Sequence, residues 1–479
     1  MEASTILWLL YVSLASCLLY KVFVSTKNGH PKIAARRPPG PTPVLLLGNV
    51  FDLRGELHLA LARLAEEHGP VMSLKLGTAT AVVASSAAAA PKALQSALWK
   101  RLRAVCTNHL FSARGLDATR AVREAKVREL VEHLRGHAAG AGEEEAAAVD
   151  VGRVVFSAVI NLVSNVLFSE DVADLSSDRA QELEMLVRDT VEEATKPNLS
   201  DLFPVLAALD LQGRRRRTAV HIRKFHDFFD EIISRRQNAG GEGERKEDFL
   251  DVLLQLHSAD QLSLDTIKTF LGDLFTAGTD TNSITVEWAM AELLRHPAAM
   301  SRARAELRDA LGAKPHPDES DIGRLPYLSA VVMETMRLHP PSPLLMPHEA
   351  VADGAAVGGY AVPRGTKVIV NVWSIMRDPA SWPRPEEFEP ERFVAAGGSF
   401  RGGEMLEFMP FGAGRRACPG TPMATRVVTL VLASLLHAFE WRLPGGMRPC
   451  DVDVRGRFGT SLNMVTPLKA VPVPVPARP

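Results

Sequence analysis

The spacing of apolar residues predicts a mainly helical body with a small amount of β-sheet. The run LHLALARLAEEHG, which starts at Leu57, repeats apolar residues at helical spacing. The run MSLKLGTATAVVAS, which starts at Met72, alternates apolar and polar positions and predicts a β-hairpin. The expected fold class is therefore mainly α with small β-sheets. Further helical patterns occur at 119–138, 149–169, 177–196, 214–237 and 263–295.

The N-terminal segment is much more apolar than the rest of the chain. Residues Thr5 to Val24 include one charge, Lys21, and match the length that spans a bilayer core. A basic and proline-rich segment follows, so we expect the body to face the cytosol. A cleaved signal peptide and a buried core helix are the alternatives, and the signal peptide would need a basic start and a shorter apolar run. The predicted organisation is a membrane anchor at 1–25, a hinge at 26–45 and one domain at 46–479.

Composition and charge exclude several other classes of protein. Of the 479 residues, 46% are hydrophobic and 23% are charged, a balance typical of globular domains. The formal net charge of −1 provides no bulk attraction to nucleic acid. Four cysteines without a C-x-x-C pair argue against a disulfide scaffold and against a structural zinc site.

Cys418 lies in the stretch FMPFGAGRRACPG, behind glycines and arginines instead of in an apolar run. A thiolate is a soft ligand that stays deprotonated when positive charge and hydrogen-bond donors surround it. Gly412, Gly414 and Gly420 allow the backbone to approach a sulfur and a flat macrocycle closely, since glycine has no side chain. A glycine-rich turn with a structural cysteine is the alternative, and the spacing favours a haem ligand.

The spacing F-x-x-G-x-R-x-C-x-G, which starts at Phe411, resembles the cytochrome P450 family of haem-thiolate monooxygenases. Glu334 and Arg337 resemble the E-x-x-R pair of that family, and Arg392 lies in a P-E-R-F segment downstream. The resemblance implies the cytochrome P450 fold, with haem b between an oxygen-binding helix and the helix after the cysteine. It also implies that Glu334, Arg337 and Arg392 form a buried network behind the haem. The haem-binding residues that it implies in the loop are Cys418 as the iron ligand, Phe411, Gly412, Arg416 and Gly420.

The helical pattern 263–295 contains the stretch AGTDT, whose glycine and polar residues are poor choices for a long buried helix. Its last two residues, Asp280 and Thr281, resemble the acid–alcohol pair that guides protons to oxygen in the family. We therefore expect them to be catalytic. A helix kink whose side chains satisfy the backbone is the alternative.

Haem propionates need cationic or hydrogen-bonding partners when they are buried. Trp99 and Arg103 match a W-x-x-x-R helix of the family, and His348 follows the segment PSPLLMP. With Arg416, these residues are the candidates for propionate contacts that the resemblance implies.

The connection from Pro91 to Trp99 departs from the family pattern. Only seven residues lie between these two positions, where the family has several tens of residues that cap the substrate pocket. The capping loop is therefore expected to be missing between 91 and 99. This departure affects substrate binding more than haem binding, because the haem motifs are intact.

Three further segments resemble plant microsomal terpenoid hydroxylases, and among these cereal enzymes that act on labdane-related diterpenes. They are RRPPGPTPVLLLGN, ETMRLHPPSPLLMPHEA and NVWSIMRDPASW. The resemblance implies O2 and a hydrophobic substrate as reactants, and electrons from NADPH through NADPH–cytochrome P450 reductase. It also implies a single-pass anchor in the endoplasmic reticulum membrane with a cytosolic catalytic domain.

Two other functions remain open, a flavonoid or other phenylpropanoid hydroxylase and a haem-binding pseudoenzyme whose turnover is impaired by the missing loop. The candidates for the substrate pocket are mostly apolar, as buried core residues would also be. They are Phe275, Ala277, Leu344, Leu345 and Thr460.

Overall fold

Helices make up most of the structure, as the apolar periodicity predicts. The computed structural model describes residues 37–87, 97–140, 148–173, 178–196, 198–239, 247–351, 355–395, 405–459 and 461–476. The predicted anchor, most of the hinge, residues Pro91 to Ser96 and Thr460 lie outside the described residues. Contacts group Pro38–Pro479 into one unit.

The helices confirm the predicted apolar patterns to within a few residues at each end. They are α1 (Leu57–His68), α2 (Ala97–Val105), α3 (Ala113–Ala118), α4 (Arg120–Gly140), α5 (Val151–Phe168), α6 (Asp178–Thr195), α7 (Leu199–Leu202), α8 (Arg214–Ala239), α9 (Phe249–Ser258), α10 (Leu264–Arg295), α11 (Pro297–Leu311), α12 (Pro326–Leu338), α13 (Val372–Ile375), α14 (Glu391–Ala395) and α15 (Thr421–Ala438).

Side-chain caps and prolines define where the helices near the site begin and end. Ser263 starts α10, because its hydroxyl accepts a hydrogen bond of 3.2 Å from the backbone N–H of Thr266. Helix α12 begins with Pro326, which fits a first helical position. The same helix ends before Pro340, a residue that cannot continue it.

The strands form small sheets beside the helices. The strands are β1 (Val71–Leu76), β2 (Ala79–Ala84), β3 (Val149–Asp150), β4 (His348–Glu349), β5 (Ala355–Val357), β6 (Tyr360–Val362), β7 (Lys367–Val370), β8 (Phe439–Arg442), β9 (Gly456–Phe458), β10 (Leu462–Met464) and β11 (Lys469–Pro474). The predicted hairpin is confirmed, since β1 and β2 pair antiparallel, and β2 also pairs parallel with β7. The sheet orders are β1-β2-β7-β4, β3-β11-β8, β9 with β10, and β5 with β6.

The core surrounds α10, which packs against α5, α8, α12 and α15. Phe275 and Trp288 of this helix are fully buried. Helices α5 and α15 are long and apolar enough to cross a membrane, but 78% and 67% of their apolar windows are buried inside the protein. They therefore act as core helices, and α15 carries the cysteine loop at its start.

Candidate active site

The cysteine loop turns back on itself immediately before α15. The backbone N–H of Cys418 donates a 2.9 Å hydrogen bond to the carbonyl oxygen of Phe411, which closes the loop. Gly412 and Gly414 have φ angles of +69° and +68°, a left-handed conformation that favours glycine. A Cβ atom on Gly420 would lie 3.7 Å from the Cys418 sulfur, so glycine keeps that sulfur uncovered.

The Cys418 thiol lies immediately before the start of α15. Its side chain is exposed, yet burial by the surrounding protein raises its pKa. Hydrogen bonds from the backbone of Gly420 and from Thr421 oppose this effect, and so does the charge of Arg103. These donors lessen the effect of burial but do not reverse it, so the pKa stays raised in the protein without a bound metal.

The other described cysteines do not have this environment. Cys106 is buried, and desolvation raises its pKa to about 12. A thiol with that pKa stays neutral at physiological pH. Cys450 is exposed, and its thiol donates a 3.6 Å hydrogen bond to the carboxylate of Asp451.

The four candidates for propionate contacts meet beside the cysteine loop. The guanidinium carbon of Arg416 lies 4.1 Å from the centre of the Trp99 ring, and that of Arg103 lies 5.3 Å from it. Arg103 also donates a 2.8 Å hydrogen bond to the carbonyl oxygen of Ala417. Burial, and then the charge of Arg416, lower the pKa of His348, which places its imidazole near that guanidinium. Its Nδ1 atom is buried and makes no hydrogen bond within the described part of the chain.

The groups around Cys418 match those that a haem needs from a protein. Two guanidinium groups and a buried imidazole nitrogen converge next to an uncovered thiol. A haem carries one iron for the thiolate and two propionates for cationic or hydrogen-bonding partners. The donor set therefore fits this group.

Glu334, Arg337 and Arg392 form a buried network between α12 and α14. Arg337 donates two hydrogen bonds to Glu334, at 2.8 and 2.9 Å. Arg392 donates a third to the same carboxylate, at 3.0 Å. Arg337 also donates to the backbone carbonyls of Met376 and Pro385, at 3.0 and 2.7 Å. The network thus joins α12 to the chain segment that leads to the cysteine loop.

Asp280 and Thr281 lie on α10, and each makes a defined hydrogen bond. Burial raises the pKa of Asp280, although Ser461 donates a 2.5 Å hydrogen bond to its carboxylate and Arg188 lies close enough to lower the pKa by its charge. The Thr281 hydroxyl donates to the carbonyl oxygen of Ala277 at 2.7 Å. The raised pKa favours the protonated form of this carboxyl, which is the form that can donate a proton.

Small residues around this pair have different surroundings. Ala277 is exposed on the helix surface. A Cβ atom on Gly278 would lie 3.4 Å from the Val163 side chain, so Gly278 serves the close packing of α5 on α10.

The proposed pocket residues do not share one environment. Phe275 is fully buried, and its ring lies against aromatic neighbours on α5 and α8. Leu345 lies beside the cysteine loop, since a Cβ atom on Gly412 would be 3.7 Å from it. Leu344 is half-buried and packs in the small cluster around β1 and β2, and Thr460 lies outside the described residues. The aromatic neighbours of Phe275 are Phe168, Phe228 and Phe229.

Sequence reasoning missed two contacts of the site. Ser461 is 181 positions from Asp280 along the chain, and Arg103 is 314 positions from Ala417, so no local pattern connects either pair. Both contacts join distant chain segments. Only the tertiary fold reveals them.

A thiolate-bound haem accounts for the uncovered thiol, the cationic group beside it and the acid–alcohol pair on the central helix, so the fold and the site define a haem-thiolate oxygenase. A family model described as Cytochrome P450 matches residues 38–98 and 94–466. The chain belongs to the cytochrome P450 family and is a P450 monooxygenase.

Similar proteins cover almost the whole chain. The rice protein Cytochrome P450 76M5 is 48% identical and covers 98% of each chain. Rice Ent-cassadiene C11-alpha-hydroxylase 1 is 45% identical and covers 99% of each chain. A solved zebra fish cytochrome P450 with progesterone has a TM-score of 0.71 and 27% identity, over 87% of this chain and 99% of that one.

Proposed function

We propose that the protein inserts one oxygen atom from O2 into a C–H bond of a labdane-related diterpene, with electrons from NADPH. Ent-cassadiene is a diterpene hydrocarbon, and the rice hydroxylase named after it matches this chain from end to end. This similarity is the observation that carries the substrate class. The reaction class rests on the family and on the geometry of the cysteine loop.

Haem b is the proposed cofactor, and when bound it supplies oxygen activation and oxygen transfer. Cys418 provides the thiolate ligand, and Gly420 keeps the space next to its sulfur clear, while Gly412 allows the left-handed turn of the loop. Phe411 holds the loop closed through its carbonyl oxygen. Arg103, Arg416, His348 and Trp99 form the proposed surroundings of the propionates.

Proton delivery is assigned to Asp280 and Thr281. The raised pKa of Asp280 allows its carboxyl to carry a proton, and Ser461 fixes the orientation of that carboxyl. The Thr281 hydroxyl donates to Ala277, so its oxygen lone pairs can accept a proton or a hydrogen bond from the cleft. Asp280 is therefore the proposed proton donor, and the Thr281 hydroxyl is the proposed acceptor of a hydrogen bond at the reaction site.

The proposal also covers attachment to the membrane and the supply of electrons. Residues 1–25 form a single-pass anchor in the endoplasmic reticulum membrane, and 26–45 form a hinge that holds the catalytic domain 46–479 in the cytosol. NADPH–cytochrome P450 reductase in the same membrane supplies the electrons. The support is the apolar length of the anchor and the basic segment that follows it.

A second candidate function is that of a haem-binding pseudoenzyme. The length of the alignment with a relative favours it. The alignment with Cytochrome P450 76M5 extends over 508 residues, more than the 479 of this chain, so the relative contains residues that this chain lacks. The two segments that match the family model overlap at residues 94–98, so the match is interrupted there. A missing capping loop there would impair substrate binding and leave the haem site intact.

The experiment that tests the proposed function uses microsomes with the full chain, the reductase and NADPH. We expect a thiolate-type carbon monoxide difference spectrum and hydroxylated products from a panel of labdane-related diterpenes. Products from a parallel flavonoid panel alone would contradict the substrate class. NADPH consumption without any product would support the pseudoenzyme, and Cys418→Ser is the negative control.

A further inference from the structure

Both backbone groups of Leu462, the first residue of β10, are held by residues that are distant in the sequence. The indole N–H of Trp288 on α10 donates a 2.7 Å hydrogen bond to the carbonyl oxygen of Leu462. The backbone N–H of Leu462 donates a 3.0 Å hydrogen bond to the carbonyl oxygen of Pro341, in the segment after α12. Trp288 and Leu462 are both buried. The start of β10 is therefore tied to α10 and to the segment after α12.

The sheet that contains β10 is too small to hold this strand in place by itself. Strands β9 and β10 have three residues each and form a two-stranded sheet. A two-stranded hairpin is at best marginally stable in water without support from other elements. The hydrogen bonds of Leu462 with Trp288 and Pro341 supply that support, and they determine where the strand begins.

The indole ring of Trp288 is itself held in one orientation. The imidazole of His339 stacks on it, with the ring centres 3.9 Å apart and the ring planes within 1° of parallel. The Nε2 atom of His339 lies 2.6 Å from a carboxylate oxygen of Glu292, one turn further along α10. All three side chains are buried. The stack therefore directs the indole N–H towards Leu462.

Ser461, the residue immediately before Leu462, contacts the proposed proton donor. Its hydroxyl donates a 2.5 Å hydrogen bond to the carboxylate of Asp280, and its side chain is buried. A hydrogen bond weakens steeply when its distance or angle departs from the preferred geometry. Because Ser461 and Leu462 share a peptide group, a shift of Leu462 also moves the hydroxyl that holds Asp280.

We propose that Trp288 is a positioning residue for the proton-donating carboxyl of Asp280, and that it acts through Leu462 and Ser461. The inference rests on the proposed function and deepens it. Helix α10 then carries both the carboxyl and, about two turns further on, the indole that fixes the partner of this carboxyl. His339 acts one step further back, because it orients the indole.

Three variants test this assignment: Trp288→Phe, Ser461→Ala and the double variant. Phenylalanine can still stack on His339, but it has no N–H group to donate. The full chain is assayed in membranes with the reductase and NADPH, and product formation is measured against pH. Trp288→Phe should weaken the hydrogen bond from Ser461 that lowers the pKa of Asp280. The alkaline limb of the pH profile should therefore move to higher pH, towards its position in Ser461→Ala and not beyond it.

The double variant separates this effect from that of other charged groups nearby. Arg188 of α6 acts on Asp280 by its charge, and His296 and His339 lie beside Glu292. An effect of Trp288→Phe through any of these groups would persist in the Ser461→Ala background. We expect no further shift there, because the hydroxyl that Trp288 positions is already absent.

Hydrogen exchange gives a second measurement that does not depend on turnover. In the solubilised full chain, Trp288→Phe should speed exchange of the Leu462 amide about twofold to tenfold, the range for the loss of one hydrogen bond. Trp441→Phe is the matched control, since it removes an indole N–H that donates to the carbonyl oxygen of Leu435 at 3.0 Å. It should change neither the exchange of Leu462 nor the pH profile.

Trp288→Phe also leaves a cavity in the core, so a second replacement at this position keeps its shape. The sulfur analogue 3-benzothienylalanine has the bicyclic ring of tryptophan without the N–H, and it decides the result if Trp288→Phe loses haem. A limb that stays in place in the position-288 variant while it moves in Ser461→Ala overturns the inference alone, as does an undiminished shift in the double variant. If Ser461→Ala does not move the limb either, the proposed role of Asp280 is wrong, and this inference with it.

Discussion

Arg337 holds Glu334 through two hydrogen bonds, at 2.8 and 2.9 Å, and neither side chain is exposed to solvent. Removing one partner of a buried pair leaves an uncompensated charge and costs about 3–5 kcal/mol. That is a large part of the total stability of a domain, about 5–15 kcal/mol. We therefore expect Glu334→Gln to lower haem content per polypeptide severely, together with the midpoint of urea unfolding.

The same chain provides a matched control for this prediction. Glu132 and Arg135 have the same E-x-x-R spacing on α4 and form a 2.8 Å ion pair, but their side chains are 60% and 37% exposed. An exposed pair of this kind contributes at most about 1 kcal/mol. Haem content should stay near that of the wild-type protein in Glu132→Gln. Equal losses of haem in the two variants would contradict the expectation that only the buried pair is needed for haem binding.

Cys418→Ser should abolish the thiolate-type carbon monoxide spectrum, because a serine hydroxyl does not replace an anionic sulfur on iron. The spectrum is recorded on reduced membranes at matched protein levels. Cys450→Ser, at an exposed position, should leave it unchanged. A thiolate-type spectrum that survives in Cys418→Ser would refute the ligand assignment.

Ser461→Ala should shift the pH dependence of product formation. The hydrogen bond from Ser461 lowers the pKa of Asp280 against the effect of burial, so its removal raises that pKa further. The proposed proton transfer needs the protonated carboxyl. The alkaline limb of the pH profile of product formation should therefore move to higher pH. Ser258→Ala removes an exposed hydroxyl bonded to a helix carbonyl and is the control. A limb that stays in place or moves to lower pH would argue against Asp280 as the proton carrier.

Deletion of residues 1–24 should move most of the protein from the membrane fraction to the soluble fraction. The haem spectrum should remain, because the cysteine loop and the propionate cluster lie entirely within the described unit. A scrambled segment 5–24 with the same composition should restore membrane retention, since apolar length is what spans a bilayer. Loss of haem from the soluble truncated protein would show that the catalytic domain depends on the anchor.

The short connection after Pro91 should reduce coupling between NADPH consumption and product formation. A capping loop excludes water and holds the substrate in place, so its absence leaves oxygen activation poorly directed. We expect NADPH consumption well in excess of product. A family-length loop inserted between Ser96 and Leu98 should raise the amount of product formed per NADPH consumed. The same loop inserted in the Gly/Glu-rich segment 238–247 is the control. Tight coupling in the unaltered chain would contradict the prediction.

The sequence by itself predicted the helices and the hairpin that the structure confirms, and it singled out Cys418 as the proposed haem ligand. Apolar periodicity is a local property, so α4, α5 and α10 appear where the patterns predict them. The unusual setting of Cys418 is also local, because glycines, arginines and the start of a helix all lie within a few residues of it. The spacing in that loop was specific enough to indicate the family.

The tertiary structure decided which of several similar residues belong to the site. Glu334 with Arg337 and Glu132 with Arg135 have the same spacing, yet one pair is buried and the other is exposed. Phe275 and Ala277 are two positions apart on one helix, yet one is buried in an aromatic cluster and the other is exposed. Ser461 reaches Asp280 only because β10 and α10 pack together. Burial and long-range contact depend on how distant segments pack, and no local pattern records that.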